Sequence, residues 1–590
     1  APAGTGCDDT TISGAPAGNT RLQNARHWSA ARGTDLLRAL RVRWMEIAGF
    51  AGVLSVAVAV RIYRLGKTPN ILTGDELENL QTAIRIIEGG GPGVFGFDWA
   101  GRPALGLYPL AWSVRIFGDS VADFRMYSVI IALLAIVLFY AVARETMRAP
   151  AALSAMLLLS TNLWFLNFSR TAWDNINAAL FAIGACWATT RALKTQGRVS
   201  FAWWAVSGLF VTAGFYGYFS GRLIFASVAL IAIVAVATRQ APWRRTLAGL
   251  LLAGVISAAL FGPMARNIYR NWDYFTSRSD TVSVFNTIRA DGSKANGWSV
   301  AKDNILPNYR GLILHYPTEG QRGPTWMRYH PNLRPALDII ALHLFWAGLV
   351  IAVFRWRQTF AWFTFFVPLF VPQIFSGDTP DLGRAIIFAP FYFLFIGITF
   401  DEILRRLTVP VLRGAALLSI GAVVAFVSVR EVDGYFDWQG QDAIQNMRMP
   451  GIHYCEYDVW RSGILKAVRA GGSADIQEFD RQRRELNCSR VVEKALGPVR
   501  PAAPPPAPPA KTAGERDEQR REDLEKIREA LFLYHAENHE FPNSNALVQT
   551  LCVYPVDAGC QIAPHLDGPI PLDPRGGYWY QSDGVTFAVY

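Results

Sequence analysis

Two adjacent carboxylates, Asp75 and Glu76, stand in the stretch TGDELENLQTAIRIIEGGG, Thr73 to Gly91. A carboxylate can take a proton from an attacking nucleophile, or it can serve a helix start and do no chemistry. The local pattern supports the second use: Thr73 and Glu76 form an S/T-x-x-E capping box, and Asp75 with Glu78 forms another cap. Asp174, Arg222, Asp338 and Arg384 stand near the ends of apolar blocks, and Arg102 precedes a proline in the same loop as Asp75. Arginine grips phosphate with a planar fork, so Arg102, Arg222 and Arg384 are the residue type that would hold a phosphorylated ligand. Tyr218, in YGYFSGR, could line such a site as an aromatic wall or a donor. There is no HExxH, no CxxC pair and no His cluster; His315 and His330 are far apart. Asp75 and Glu76 could take a divalent cation, but no spacing indicates a metal or any other cofactor. The run GGGPG at 89–93 has no strand–helix context and reads as a turn rather than a nucleotide loop.

The position of these residues follows from the apolar blocks. About eleven blocks of roughly 17–22 residues are long enough to span a bilayer as helices. They lie near 44–62, 124–143, 150–167, 173–190, 201–216, 222–238, 246–262, 336–354, 359–375, 385–401 and 408–428. The net charge of +10 would point to nucleic acid in a soluble chain. Here basic clusters at 38–43, 144–148, 191–198, 238–245, 355–357 and 405–406 occupy alternate connections. One orientation, with the N-terminus in the cytoplasm, places all of them inside. Membrane lipid is then the surrounding partner, and nucleic acid is not expected. Asp75, Asp174, Arg222, Asp338 and Arg384 fall at the outer face. Arginines there run against the positive-inside rule, and a phosphate headgroup in the outer leaflet would explain them.

Around the blocks the chain divides further. Residues 1–43 read as a disordered cytoplasmic N-terminus, with the first span as anchor in place of a signal peptide. Residues 44–429 form the membrane domain. Within its first loop FDWAGRPALGLYPLAWSVRIFG is aromatic but interrupted by charge, as in an interfacial helix. The connection 263–335 is long, and its aromatics and mixed charge fit an ordered outer cap. Residues 430–497 are a polar exoplasmic segment, 498–515 a proline-rich linker and 516–590 a small domain. That domain opens with a helix whose Leu524, Ile527, Leu531 and Tyr534 repeat at three and four, followed by short alternating strands. Cys455, Cys488, Cys552 and Cys560 all follow the last span. In an oxidising compartment, with the linker separating two from two, the expected pairs are Cys455–Cys488 and Cys552–Cys560.

The order DE, helix, glycine, basic residue and Pro, aromatic helix, FG, Arg and a long span resembles the first exoplasmic loop of GT-C membrane glycosyltransferases. The branch is the bacterial one similar to protein O-mannosyltransferases and the aminoarabinose transferase of lipid A. YGYFSGR at 216–222, RYHPNLRPALD at 328–338 and SGDTPDLGRAIIFAP at 376–390 continue the resemblance, which covers roughly 44–440. In the last motif Asp381 stands where the family usually carries His. The resemblance implies a polytopic α-helical membrane protein of GT-C architecture, with a small α+β exoplasmic domain at its C-terminal end. It implies a transferase in the bacterial inner membrane that takes a hexose or pentose from a polyprenyl-phosphate-linked donor. The acceptor is a glycan, a lipid or a protein. The resemblance assigns the general base to Asp75, with Glu76 tuning it, and a substrate role to Asp174 in TAWDN. Residues 516–590 resemble the globular half of a type II secretion major pseudopilin, on the LDP turn at 572–574, Tyr580 and Ser582-Asp583-Gly584. Two other classes share the apolar pattern: a flippase for a lipid-linked sugar, and a scaffold displaying the tail. A flippase would need polar residues through the bilayer middle, and these are scarce.

Overall fold

The computed structural model describes residues 44–287, 294–314, 329–331, 334–377, 379–440, 451–453, 456–469, 513–538, 545–547, 579–582 and 587–589. The chain divides into two units, Ala1–Val499 and Arg500–Tyr590. The first runs α1 (Trp44–Ile62), β1 (Ile71–Thr73), α2 (Gly74–Ile87), β2 (Phe97–Asp98), β3 (Arg102–Pro103), α3 (Tyr108–Phe117), α4 (Val121–Arg144), α5 (Ala149–Thr161) and α6 (Leu163–Phe168). It continues with α7 (Ile176–Lys194), α8 (Gly197–Gly217), α9 (Ile224–Ala237), α10 (Trp243–Arg270), α11 (Trp272–Val282) and α12 (Gly297–Asn308). It ends with α13 (Ile339–Phe354), α14 (Trp356–Ile374), α15 (Leu382–Arg406), α16 (Pro410–Gly440), β4 (Gly451–His453) and α17 (Tyr457–Arg469).

Among the described residues eight helices are long and apolar enough to cross a membrane: α1, α4, α7, α8, α9 with its preceding turn, α10, α15 and α16. Apolar side chains that no protein covers need lipid. Leu247, Leu251 and Val255 on α10 and Val411, Leu418 and Phe426 on α16 point outward from the bundle. By contrast α15 is enclosed by protein, with Phe391, Tyr392, Leu394, Phe395 and Ile396 fully buried. The other three expected blocks differ from uninterrupted spans. The block at 150–167 breaks at Asn162, whose side chain accepts from the Phe165 amide and starts α6. α13 is 16 residues long. α14 has 19 residues but carries Pro368 and Pro372 inside it. α3, at 10 residues, is too short to cross. It buries Leu110, Ala111 and Val114 and exposes Trp112, Arg115 and Ile116, the arrangement of a helix lying in the interface.

At one end of the bundle a second apolar cluster forms outside the spans. It joins Leu72, Leu80, Ala83 and Ile84 near β1 and on α2, Leu110 and Val114 on α3, Val121 and Phe124 on α4, and Tyr457 and Ile464 on α17. β4 pairs antiparallel with β1, Ile71 opposite His453 and Thr73 opposite Gly451. β4 and α17, which follow the last span, therefore sit on the same face as the loop that carries Asp75. In a background without native cysteines, a membrane-impermeant maleimide should label Ile87→Cys and Ser462→Cys from one side of the membrane. It should label Lys194→Cys only from the other. Ile87→Cys and Ser462→Cys reacting from opposite sides would overturn this topology.

The second unit contains α18 (Ala513–Asn538) and three strands, β5 (Asn545–Leu547), β6 (Trp579–Ser582) and β7 (Phe587–Val589). They form an antiparallel sheet in the order β5-β6-β7. Ile527, Ala530 and Leu531 are buried on α18. Cys186 is a buried free thiol within α7. Cys455, Cys488, Cys552 and Cys560, the N-terminal 1–43 and the proline-rich 498–511 lie outside the described residues.

Candidate active site

The loop carrying Asp75 is fixed by a fully buried arginine, Arg125 at the start of α4. It donates to the carbonyls of Leu65, Pro69 and Ile71, at 3.1, 2.9 and 3.1 Å. It also donates to both carboxylate oxygens of Glu76, at 2.8 and 3.2 Å. Glu76 in turn accepts from the Ala172 amide at 2.9 Å, two residues before Asp174. Arg170 ties the same region from below, donating to the carbonyls of Val60, Arg61, Tyr63 and Thr68 where α1 ends. The expected capping box does not form. Thr73 accepts from the Trp173 indole at 2.8 Å, and Glu76 is held by Arg125, so both side chains serve long-range contacts. Glu76 is buried and does not line the cavity described below, whereas Asp75, one residue earlier on α2, is half-buried and does. Glu76 is thus taken by Arg125 and the Ala172 amide while Asp75 faces the cavity, so the two carboxylates do not converge on one cation. Among the described residues no group of three or more His, Cys, Asp or Glu is arranged to hold a metal ion.

Arg102 departs from the expected phosphate grip. Its guanidinium donates to Asp98 at 2.5 Å, to Asp174 at 3.0 Å and to Asn79 at 2.7 Å. Burial works against its charge, but the Asp174 and Asp98 carboxylates outweigh burial and hold the guanidinium above its ordinary pKa. Two carboxylates on one cation leave no surplus positive charge, so Arg102 fixes Asp174 rather than offering an anion site. Burial pushes the Asp174 carboxyl above its usual range against the pull of Arg102, and the Asp75 carboxylate acts in the same direction as burial. Asp98 also accepts from Thr82 on α2, and Asn79 donates to the Ala172 carbonyl, so β2, α2 and the approach to α7 close one network.

The turn between β2 and β3 lies against α11 of the long connection. Gly101 has φ of +72°, and a Cβ there would meet the Tyr274 carbonyl at 2.3 Å, so only glycine fits this approach. Tyr274 donates to the Asp98 carbonyl at 3.1 Å. The Gly377 amide donates to the Val282 carbonyl at 2.7 Å, docking the other end of α11 on the segment before α15. The α11 segment thus forms a cap over the loop.

Beneath the cap lies a cavity of about 470 Å³. Asp75, Glu78, Asn79, Arg102, Asp174, Tyr218, Arg222, Arg278, Tyr329, Asp381 and Arg384 line it, with Trp99 and Phe375 as aromatic walls. It gathers Asp75, Asp174, Tyr218, Arg102, Arg222 and Arg384 from separate elements; Glu76 is turned away, and Asp338 pairs with Arg430 outside the lining. Arg222 lies over the rings of Phe275, Phe219 and Phe215, at 4.4, 4.7 and 5.5 Å to the centroids. It donates to the Gly101 carbonyl at 3.5 Å, and among the described residues no carboxylate pairs with it. Arg278 stacks on Trp99 at 5.3 Å, likewise without a carboxylate among the described residues. Arg384 pairs with Asp381 at 3.4 Å and donates to Ser376. Asp381 caps the start of α15 by accepting from the Arg384 amide at 2.9 Å. Burial holds the Tyr218 phenol well above its usual pKa, with Tyr329, Asp381 and Asp174 adding to it, so it stays protonated. Arg278, Asp98, Asn79 and Tyr329 escape a reading by sequence. Arg278 is one charge among several in NWDYFTSRSD, and only folding of the cap brings it to the cavity.

Residues 101–265 match the family model described as dolichyl-phosphate-mannose-protein mannosyltransferase. The matched stretch, 165 of 590 residues, holds Arg102, Asp174, Tyr218 and Arg222; Asp75 precedes it. This is the class of enzyme that the sequence pattern resembles. No curated protein matches the chain. Among solved structures the chain is similar to the archaeal oligosaccharyltransferase AglB from Archaeoglobus fulgidus, in complex with an inhibitory peptide and a dolichol-phosphate. The identity is 14%, the TM-score 0.48, and the match covers 80% of this chain and 62% of that one, less than two thirds of its length. It is similar to ArnT from Cupriavidus metallidurans bound to undecaprenyl phosphate, with 15% identity, a TM-score of 0.46 and coverage of 76% and 74%. It is also similar to the S. cerevisiae protein O-mannosyltransferase Pmt1–Pmt2 complex bound to the sugar donor, with 14% identity, a TM-score of 0.33 and coverage of 43% and 37%.

Proposed function

We propose that the protein is a membrane glycosyltransferase that moves a sugar from a polyprenyl-phosphate carrier to an acceptor in the cavity beneath the cap. The observation that supports this best is the make-up of that cavity. Asp75, a half-buried carboxylate at a helix start, shares it with Arg222 and Arg278, which pair with no carboxylate among the described residues. In the reaction the acceptor nucleophile forms a bond to the sugar's first carbon while the bond from that carbon to the phosphate oxygen breaks. The prenyl phosphate leaves with the bonding pair, and Asp75 takes the nucleophile's proton. A phosphate leaving group needs no general acid, so one carboxylate is enough. Aromatic rings hold the face of the Arg222 guanidinium and leave N–H groups at its edge for phosphate oxygens. Arg278 and Arg384 converge on the same space, and Arg102 keeps Asp174 in place for the sugar or acceptor hydroxyls. Asp75 lies outside the cytoplasm on the positive-inside reading, which makes the reaction exoplasmic.

Reconstituted vesicles loaded with radiolabelled polyprenyl-phosphate sugars test the reading. The expected result is sugar leaving the carrier for an added acceptor. Carrier crossing the bilayer intact would identify a flippase, and neither outcome would leave a scaffold. Within the same assay Arg222→Ala and Arg384→Ala should each weaken donor binding about 10-fold, the size of one lost charge-assisted hydrogen bond. Lysine at either position should restore part of the loss, because it offers a point charge and not a fork. Unchanged donor affinity in both alanine variants would place the phosphate elsewhere.

A further inference from the structure

Part of the chain after the last span is built into the platform under Asp75, and we propose that β4 and α17 are a positioning element for that carboxylate. This rests on the reading of Asp75 as the reacting base. The strand that enters α2 is held on both sides, and the Trp173 indole also donates to Thr73. On one side Arg125 in α4 takes the Ile71 carbonyl. On the other, β4 supplies the backbone ladder, with Leu72 opposite Ile452 and Thr73 opposite Gly451. Asp75 follows two residues after Thr73, so displacement of β1 moves the start of α2 and the carboxylate with it.

α17 anchors that strand. Tyr457 and Ile464 are buried among Leu72, Leu80, Leu110, Val114 and Phe124, so α17 bridges the loop helix, the interfacial helix and the first long span. The Tyr457 hydroxyl donates to the Asp119 carbonyl, and Arg461 donates to the Asp119 carboxylate at 2.6 Å. Arg469 donates to Glu88, at the C-terminal end of α2, at 3.0 Å. Contacts at both ends of α2 come from a segment more than 350 residues later in the chain. The arginines proposed to take the phosphate, Arg222, Arg278 and Arg384, sit on other elements, namely the turn before α9, α11 and α15. Loosening α17 should therefore change the placement of the base and leave the phosphate ligands where they are. Misplacement of a reacting group by about 1 Å costs on the order of 100-fold in rate.

The double variant Tyr457→Ala/Ile464→Ala in the full-length protein tests this, with Tyr457→Phe as the conservative partner. Two readouts are taken. Hydrogen exchange at the Ile71–Thr73 amides reports the strand pairing whether or not a donor is known. Transfer kinetics report kcat and donor KM separately. In the double variant exchange at β1 should rise at least about 10-fold, kcat should fall about 10- to 100-fold, and donor KM should stay within about 2-fold of wild type. Tyr457→Phe, which keeps the buried ring, should remain within about 3-fold of wild type in both readouts. Faster exchange at β1 with unchanged kcat, in a protein whose Asp75→Asn variant is dead, overturns the positioning role and leaves the transferase reading standing. Unchanged exchange at β1 overturns the clasp itself. A wild-type protein that transfers no sugar overturns the transferase reading, and with it the positioning role, while the exchange measurement still decides the clasp.

Discussion

Asp75→Asn should reduce sugar transfer by at least about 100-fold while leaving donor binding within about 2-fold of wild type. The substitution keeps the volume of the side chain and one acceptor oxygen but cannot take a proton. The arginines of the cavity are untouched, so the carrier phosphate should still bind. Glu76→Gln makes the sharper comparison. A base would be lost in both variants if both carboxylates served the reaction. With Glu76 enclosed by Arg125 and the Ala172 amide, its substitution should instead lower the amount of folded protein recovered from the membrane. Steady-state transfer and donor binding on purified protein check both. Near-normal turnover in Asp75→Asn would leave that residue with no role beyond the helix start.

Arg125→Ala should be the most destabilising single change in the loop. Arg125 and Glu76 are both fully buried, and their ion pair at 2.8 Å is supplemented by three backbone carbonyls. Removing one member of a buried pair strands the other charge, at a cost of about 3–5 kcal/mol. The carbonyls of Leu65, Pro69 and Ile71 lose their donor as well. Thermal unfolding in detergent should show a large fall in midpoint, and limited proteolysis should open the 62–76 loop first. Arg125→Met, with similar volume, leaves Glu76 equally stranded and should behave in the same way. Arg125→Met combined with Glu76→Met removes both charges and should recover part of the loss. A midpoint unchanged in Arg125→Ala would mean that the network does not hold the loop. By comparison the partly exposed pairs Arg191–Glu145 and Lys194–Glu145 should matter little when broken.

The amino-acid sequence by itself determines the membrane character and much of the site's address. Bilayer spans need long apolar runs, and such runs are read locally, so α1, α4, α7, α8, α9, α10, α15 and α16 are all legible. Charge near span ends is also a local property, which is why Asp174, Arg222, Asp338 and Arg384 stand out, but only the fold shows that Asp338 pairs with Arg430 while the other three reach one cavity. The 150–167 block reads as one run because hydropathy does not register one polar cap, Asn162, that divides it into α5 and α6. Only the tertiary structure separates Asp75 from Glu76. They are neighbours of similar chemistry, and their roles depend on a guanidinium 49 residues away that takes one of them. The same holds for Arg102, which reads as an open cation until Asp98 and Asp174 are seen to close on it. It holds for Arg278, which belongs to the site only because Gly101 lets the cap approach, and for α17, whose buried face meets the first loop from far along the chain. Hydropathy is a property of a segment, but the partner of a charge is a property of the fold. A buried charge must find its counter-ion through space rather than along the chain.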